Sequence, residues 1–130
     1  MKRELGNVLI VDDSDADNFL NRLLLEKSAV QSNIVDFSIA SEAISYLDKD
    51  NRPDIDLIVV DVNMPAMDGF EFADAFNKLM PERRGDTAVI MASGSLNPID
   101  EARARQHPAI DGYMVKPINV ERIYEIMGER

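Results

Sequence analysis

The chain has 130 residues, 45% hydrophobic and 29% charged, the length and composition of one domain with a continuous core. Its net charge of −10 opposes contact with a phosphate backbone, so no nucleic-acid partner is expected, and no apolar run approaches the ~18 residues of a membrane span. Zero cysteines exclude disulfides and thiolate metal sites and fit a reducing, cytoplasmic setting, while the lone His107 cannot by itself make a histidine metal site.

In chain order, Met1–Gly6 has basic residues but no apolar segment, so it does not read as a secretory signal. Val8–Val11 is a first strand running into Asp12-Asp13. Ser14-Asp15 can cap a helix whose apolar residues Ala16, Leu20, Leu23 and Leu24 follow helical spacing. In Ile34–Ile39, Val35, Phe37 and Ile39 alternate with Asp36 and Ser38, the pattern of an edge strand with one wet face. Ser41 is the expected cap of a short second helix with Ala43, Ile44 and Leu47. Leu57–Val60, apolar throughout, suits a central parallel strand covered on both faces, and it ends at Asp61.

Met64–Gly69 reads as a loop, with Asp68-Gly69 as a turn needing positive φ. Phe72, Phe76, Leu79 and Met80 mark the third helix, stopped before Pro81, and Glu82–Asp86 is a polar loop. Ala88–Ala92 is a fourth strand running into Ser93. Asn97-Pro98, followed by Asp100 and Glu101, starts a fourth helix with a poor apolar stripe (Ile99, Ala102), which should pack lightly. Tyr113–Val115 is the fifth strand and runs into Lys116-Pro117, whose proline junction can be cis. Asn119 caps a final helix with Val120, Ile123, Tyr124 and Met127 at i, i+3, i+4 and i+7, ended by Gly128.

Five βα units with right-handed crossovers give an α/β, flavodoxin-like (βα)5 sandwich, with a parallel five-stranded sheet of order 2-1-3-4-5. One domain over residues 1–130 is expected. Strands 1 and 3 are then central, and Asp12, Asp13, Asp61, Ser93 and Lys116 converge at the carboxyl edge, where such sheets bind ligands. Two unit charges ~4 Å apart repel by about 1 kcal/mol in water and about 4 at a protein surface. Three such carboxylates raise one another's pKa values unless a hard cation such as Mg²⁺, with oxygen ligands, compensates.

Asp12-Asp13, the stretch Asp61-Val-Asn-Met-Pro-Ala-Met-Asp-Gly69, Ser93-Gly94, Tyr113 and Lys116-Pro117 together resemble the receiver domain of two-component response regulators. The resemblance implies that Asp61 accepts a phosphoryl group from a histidine kinase or histidine phosphotransfer protein. It also implies Mg²⁺ held by Asp12, Asp13, Asp61 and the backbone carbonyl of Asn63. Lys116 and Ser93 would contact the phosphoryl oxygens, and Tyr113 would rotate inward behind Ser93. The face made by the fourth helix, fifth strand and fifth helix would then change to control a protein partner, as a monomer or a phosphorylation-dependent dimer.

Two departures are mild: Ser93 stands where the family more often has threonine, and Gly94 where alanine is commonest. Ser95-Leu96-Asn97-Pro98 is similar to stand-alone receivers, and with nothing after Arg130 a single-domain regulator is expected. Asn63 and Ser95 would flank the phosphoryl group and set its lifetime. Such a switch phosphorylates and dephosphorylates itself but turns over no external substrate, so it is not read as an enzyme.

Each motif alone has a plainer meaning. Asp12-Asp13 can be a helix cap, Lys116 a solvated lysine, Tyr113 a core aromatic, and Asn18, Asn21 and Arg22 either surface or a kinase-docking side. A receiver-like adaptor working without phosphate stays open. A flavodoxin-like carrier or an aspartate-dependent phosphatase fits less well. The loop after strand 1 is acidic where a flavin phosphate needs Ser, Thr and Gly, and Asn63 stands where such phosphatases have a second acid.

Overall fold

The computed structural model describes residues 5–28 and 32–128. In chain order its elements are β1 (Gly6–Val11), α1 (Asp15–Ser28), β2 (Ser32–Phe37), α2 (Ala40–Leu47), β3 (Leu57–Asp61), α3 (Gly69–Asn77), α4 (Pro81–Arg84), β4 (Ala88–Ser93), α5 (Pro98–Gln106), β5 (Gly112–Val115) and α6 (Val120–Gly128). The strands form one parallel sheet in the order β2-β1-β3-β4-β5, as the alternating and all-apolar strand patterns require.

Every residue of β3 and β4 is buried, because helices cover both faces. Val8, Ile10, Leu57, Val59 and Ile90 pack under Leu25 of α1 and Ile123 and Ile126 of α6. Leu9, Val11, Ile58, Val60, Val89 and Met91 face the other way, toward α2, α3 and α5. Successive residues of the central strands therefore alternate between two cores, and the polar residues Asp12, Asp61 and Ser93 fall at their carboxyl ends.

Several local expectations change. β2 ends at Phe37, opposite Val11, the last residue of β1, so Ile39 lies outside the sheet. Ile39, half exposed, is the residue before α2; Ser41 lies inside that helix and caps nothing. α3 stops at Asn77, and Met80 instead precedes α4, a short helix with Pro81 in its first turn within the expected polar loop. The buried face of α1 is Asn18, Asn21 and Leu25, while Ala16, Leu20 and Leu23 are exposed and Leu24 is half buried. On that buried face the Asn18 side-chain amide donates to the Asp12 carbonyl at 2.8 Å, tying the helix to the end of β1. α5 buries only Ala104, leaving Ile99 77% exposed, so it is lightly packed, as its weak apolar stripe predicts.

Candidate functional site

The parallel registers bring the site together. β1 and β3 align Val11 with Val60, so the next residues, Asp12 and Asp61, are neighbours. β3 and β4 align Asp61 with Ala92, and β4 and β5 align Ser93 with Val115, which places Lys116 one step further along the same edge. Asp12, Asp13 and Asp61 each offer a carboxylate oxygen within 4.8 Å of the others. Asp12 and Asp61 are buried and Asp13 is exposed.

Lys116 Nζ lies among them, 2.7 Å from Asp12 Oδ2 and 3.1 Å from Asp61 Oδ1. It also meets Asp17 Oδ2 of α1 at 2.8 Å, a partner that no sequence motif indicates because 99 positions separate the two residues. Burial raises the pKa of the Asp61 carboxyl above its ordinary value; the hydrogen bond from Lys116 opposes this, and the charges of Asp12 and Asp13 add to the rise. Burial disfavours the Lys116 ammonium, yet hydrogen bonds to Asp12, Asp17 and Asp61 outweigh it and hold its pKa above the usual lysine value.

The surrounding backbone is shaped to hold these groups. Asp12 Oδ1 accepts from the Ser14 amide at 2.9 Å, and the Ser14 hydroxyl accepts from the Asp17 amide at 3.2 Å, so Ser14 caps α1 as expected. After β3 the chain turns tightly, with Ala66 at φ +66° and the Met67 amide donating to the Pro65 carbonyl at 2.7 Å. Asp68-Gly69 does not form the expected turn with positive φ at the glycine, since Gly69 opens α3. Asp68 caps α3 in a capping box with Glu71, at 2.8 and 3.0 Å. Gly69 is required by close approach, since a Cβ there would sit 2.5 Å from the Asp61 carbonyl oxygen.

The remaining expected residues stand around this centre. Ser93 is buried at the end of β4, and its hydroxyl donates to the Ser95 carbonyl at 2.8 Å while accepting from the Ser95 amide at 3.3 Å. Asn63 is exposed in the loop beyond Asp61. The ring of Tyr113 packs against the core on the α2, α3 and α5 side, and its phenol oxygen is buried without a hydrogen-bond partner. Lys116-Pro117 is cis, and the Lys116 amide donates to the Ser93 carbonyl at 2.7 Å, tying the ends of β4 and β5 together. Asn18 and Asn21, read from sequence as either surface or a kinase-docking side, are buried, whereas Arg22 is partly exposed and pairs with Asp36 and Glu26.

Three carboxylates with only oxygen donors, opposed by a single ammonium, fit a hard divalent cation that keeps part of its water shell. No histidine or cysteine enters the cluster, so the donor set does not suit a softer metal.

The family model for the response regulator receiver domain matches residues 8–127. The chain is 31% identical over 120 residues to the sensor histidine kinase GacS of Pseudomonas protegens, and 33% identical over 118 residues to the cyclic di-GMP phosphodiesterase response regulator RpfG of Xanthomonas campestris. These alignments take in 92% and 90% of the chain but only 12% and 30% of those relatives. Among solved structures, a response regulator receiver protein from Dyadobacter fermentans superposes with a TM-score of 0.85 at 28% identity, covering 95% of this chain and 96% of that one. A two-component response regulator from Cytophaga hutchinsonii gives 0.84 at 27% identity, covering 98% and 97%.

Proposed function

For a chain that belongs to the response regulator receiver domain family, we propose that Asp61 is the phosphoryl acceptor of a two-component phosphorelay. The observation that carries this reading is the Lys116 ammonium at 3.1 Å from Asp61, within a cluster of three carboxylates. A carboxylate oxygen of Asp61 attacks phosphorus in line. The bond from phosphorus to the donor breaks, and its electron pair leaves on the donor, which is a phosphohistidine of a histidine kinase or phosphotransfer protein.

Asp12, Asp13 and Asp61, with the Asn63 backbone carbonyl, would hold Mg²⁺, which supplies positive charge for the phosphoryl oxygens. Lys116, already at hydrogen-bond distance from Asp61, takes a second phosphoryl oxygen. Ser93 donates to a third after giving up its bond to Ser95. Catalysis here is positioning and charge compensation, as general phosphoryl transfer requires.

The readout is the face of α5, β5 and α6. Ala104 is the one buried residue of α5, whose Arg103 guanidinium lies 4.0 Å over the Phe70 ring, and the Tyr113 phenol has no hydrogen bond to lose when its ring turns. Both features favour movement when Ser93 shifts toward the phosphoryl group. The chain acts by presenting this face to a protein partner, as a cytoplasmic switch that turns over no external substrate.

The test is incubation with acetyl phosphate in Mg²⁺, followed by intact-mass spectrometry and peptide mapping. One phosphoryl group on Asp61 is expected, absent from Asp61→Asn and absent when the divalent ion is chelated. Labelling that persists in Asp61→Asn would refute the assignment.

A further inference from the structure

The Lys116 ammonium has three N–H donors, and three separate carboxylates take them: Asp12 at 2.7 Å, Asp17 at 2.8 Å and Asp61 at 3.1 Å. It has none left for a phosphoryl oxygen. The donor now on Asp61 can pass to a phosphoryl oxygen on that same residue, and the ammonium that follows this oxygen must loosen one of its other two contacts, which differ in what release would cost. The Asp12 side chain is 2% exposed, so its charge must stay paired, with the ammonium or with the cation it would hold. Asp61 carries the phosphoryl group itself and stays next to the lysine. The Asp17 side chain is 38% exposed and can exchange the ammonium for water at little cost.

Asp17 is also placed for this role by its own backbone. Its amide is capped by the Ser14 hydroxyl at 3.2 Å, and Ser14 in turn donates its amide to Asp12 at 2.9 Å. The first turn of α1 and the phosphoryl site are thus one hydrogen-bonded unit, with Lys116 shared between them.

We infer that Asp17 is a positioning residue that holds Lys116 in the unphosphorylated chain and releases it when a phosphoryl group arrives on Asp61. Asp17 does not touch the reacting atoms; it sets how readily the lysine becomes available to them, and the first turn of α1 registers the exchange. The inference rests on the phosphoacceptor reading of Asp61 and adds a restraint to it.

The test compares initial rates of acetyl phosphate labelling at saturating Mg²⁺ in wild type, Asp17→Asn, Asp17→Glu and Asp15→Asn. Asp17→Asn should be labelled about two- to fivefold faster at low ionic strength, the scale of an exposed ion pair. That advantage should shrink toward unity in about 1 M salt, where screening acts within ~3 Å. Asp17→Glu should return to near the wild-type rate. Asp15→Asn removes an equal charge from the same turn and should leave the rate unchanged. Equal rates for Asp17→Asn and wild type would overturn the inference, as would the same acceleration in Asp15→Asn, which would mean a general charge effect. If wild type takes up no label, the phosphoacceptor reading itself has failed. The pairing is then decided by urea unfolding of Asp17→Asn, Lys116→Met and the double variant, where non-additive effects are expected and strict additivity overturns it.

Discussion

Replacing Asp61 with asparagine should stabilise the metal-free protein. The Asp12 and Asp13 carboxylates lie within 4.8 Å of Asp61, and at an effective dielectric of about 20 each repels it by about 3.5 kcal/mol. Lys116 at 3.1 Å returns about 5 kcal/mol. About 1.5–2 kcal/mol of repulsion remains, and burial of the carboxylate adds to it. For a chain of 130 residues this corresponds to a rise of roughly 5–7 °C in Tm.

The gain must depend on pH in a definite sense. Because the folded-state pKa of Asp61 is raised, the protonated side chain favours folding. That contribution is whole below the unfolded-state pKa of about 3.9 and is lost as pH rises through the folded value. Wild type and Asp61→Asn should therefore have similar stability near pH 4 and diverge toward neutrality. Millimolar Mg²⁺ should reverse the order, because a ligand at a hundredfold excess over its Kd stabilises the binding chain by about 2.7 kcal/mol. The assay is urea unfolding of both proteins at several pH values, in chelator and in Mg²⁺. An Asp61→Asn chain less stable than wild type at pH 7 in chelator, or a gain of equal size at pH 4, would refute the reasoning.

Lys116→Met leaves Asp12 and Asp61 without their cation and should cost about 3–5 kcal/mol in chelator, partly restored by Mg²⁺, as urea unfolding would reveal. Tyr113→Phe removes a buried hydroxyl that has no partner, so thermal melts should stay within about 0.5 kcal/mol of wild type; a large loss would mean the phenol is bonded after all. Gly69→Ala drives a methyl to 2.5 Å from the Asp61 carbonyl oxygen and should cost about 1–3 kcal/mol in unfolding free energy while slowing acetyl phosphate labelling.

The sheet and its polar edge were legible because each depends on local pattern. Leu57–Val60 and Ala88–Ala92 are apolar throughout only because two helical layers cover them, and Asp61 and Ser93 then fall at their ends by counting. The start of α3 was misread, because Asp68-Gly69 resembles a turn although Asp68 and Glu71 form a capping box, and Pro81 was read as a helix stop although it lies in the first turn of α4. What sequence could not give was rotation and long-range pairing. α1 buries Asn18, Asn21 and Leu25, with the Asn18 amide bonded to the Asp12 carbonyl, a face that the spacing of Leu20, Leu23 and Leu24 did not indicate. The Asp17 contact joins opposite ends of the chain, and the Ser93 hydroxyl bonds Ser95 through a turn whose shape no pattern encodes.

Titration of the unphosphorylated protein with Mg²⁺, followed by calorimetry and by the backbone amide resonances of Asp12, Asp13 and Asp61, tests the carboxylate cluster most directly. One ion per chain is predicted, with shifts centred on those three residues and binding greatly weakened in Asp13→Asn. Absence of any saturable shift there, or undiminished affinity in that variant, would contradict it.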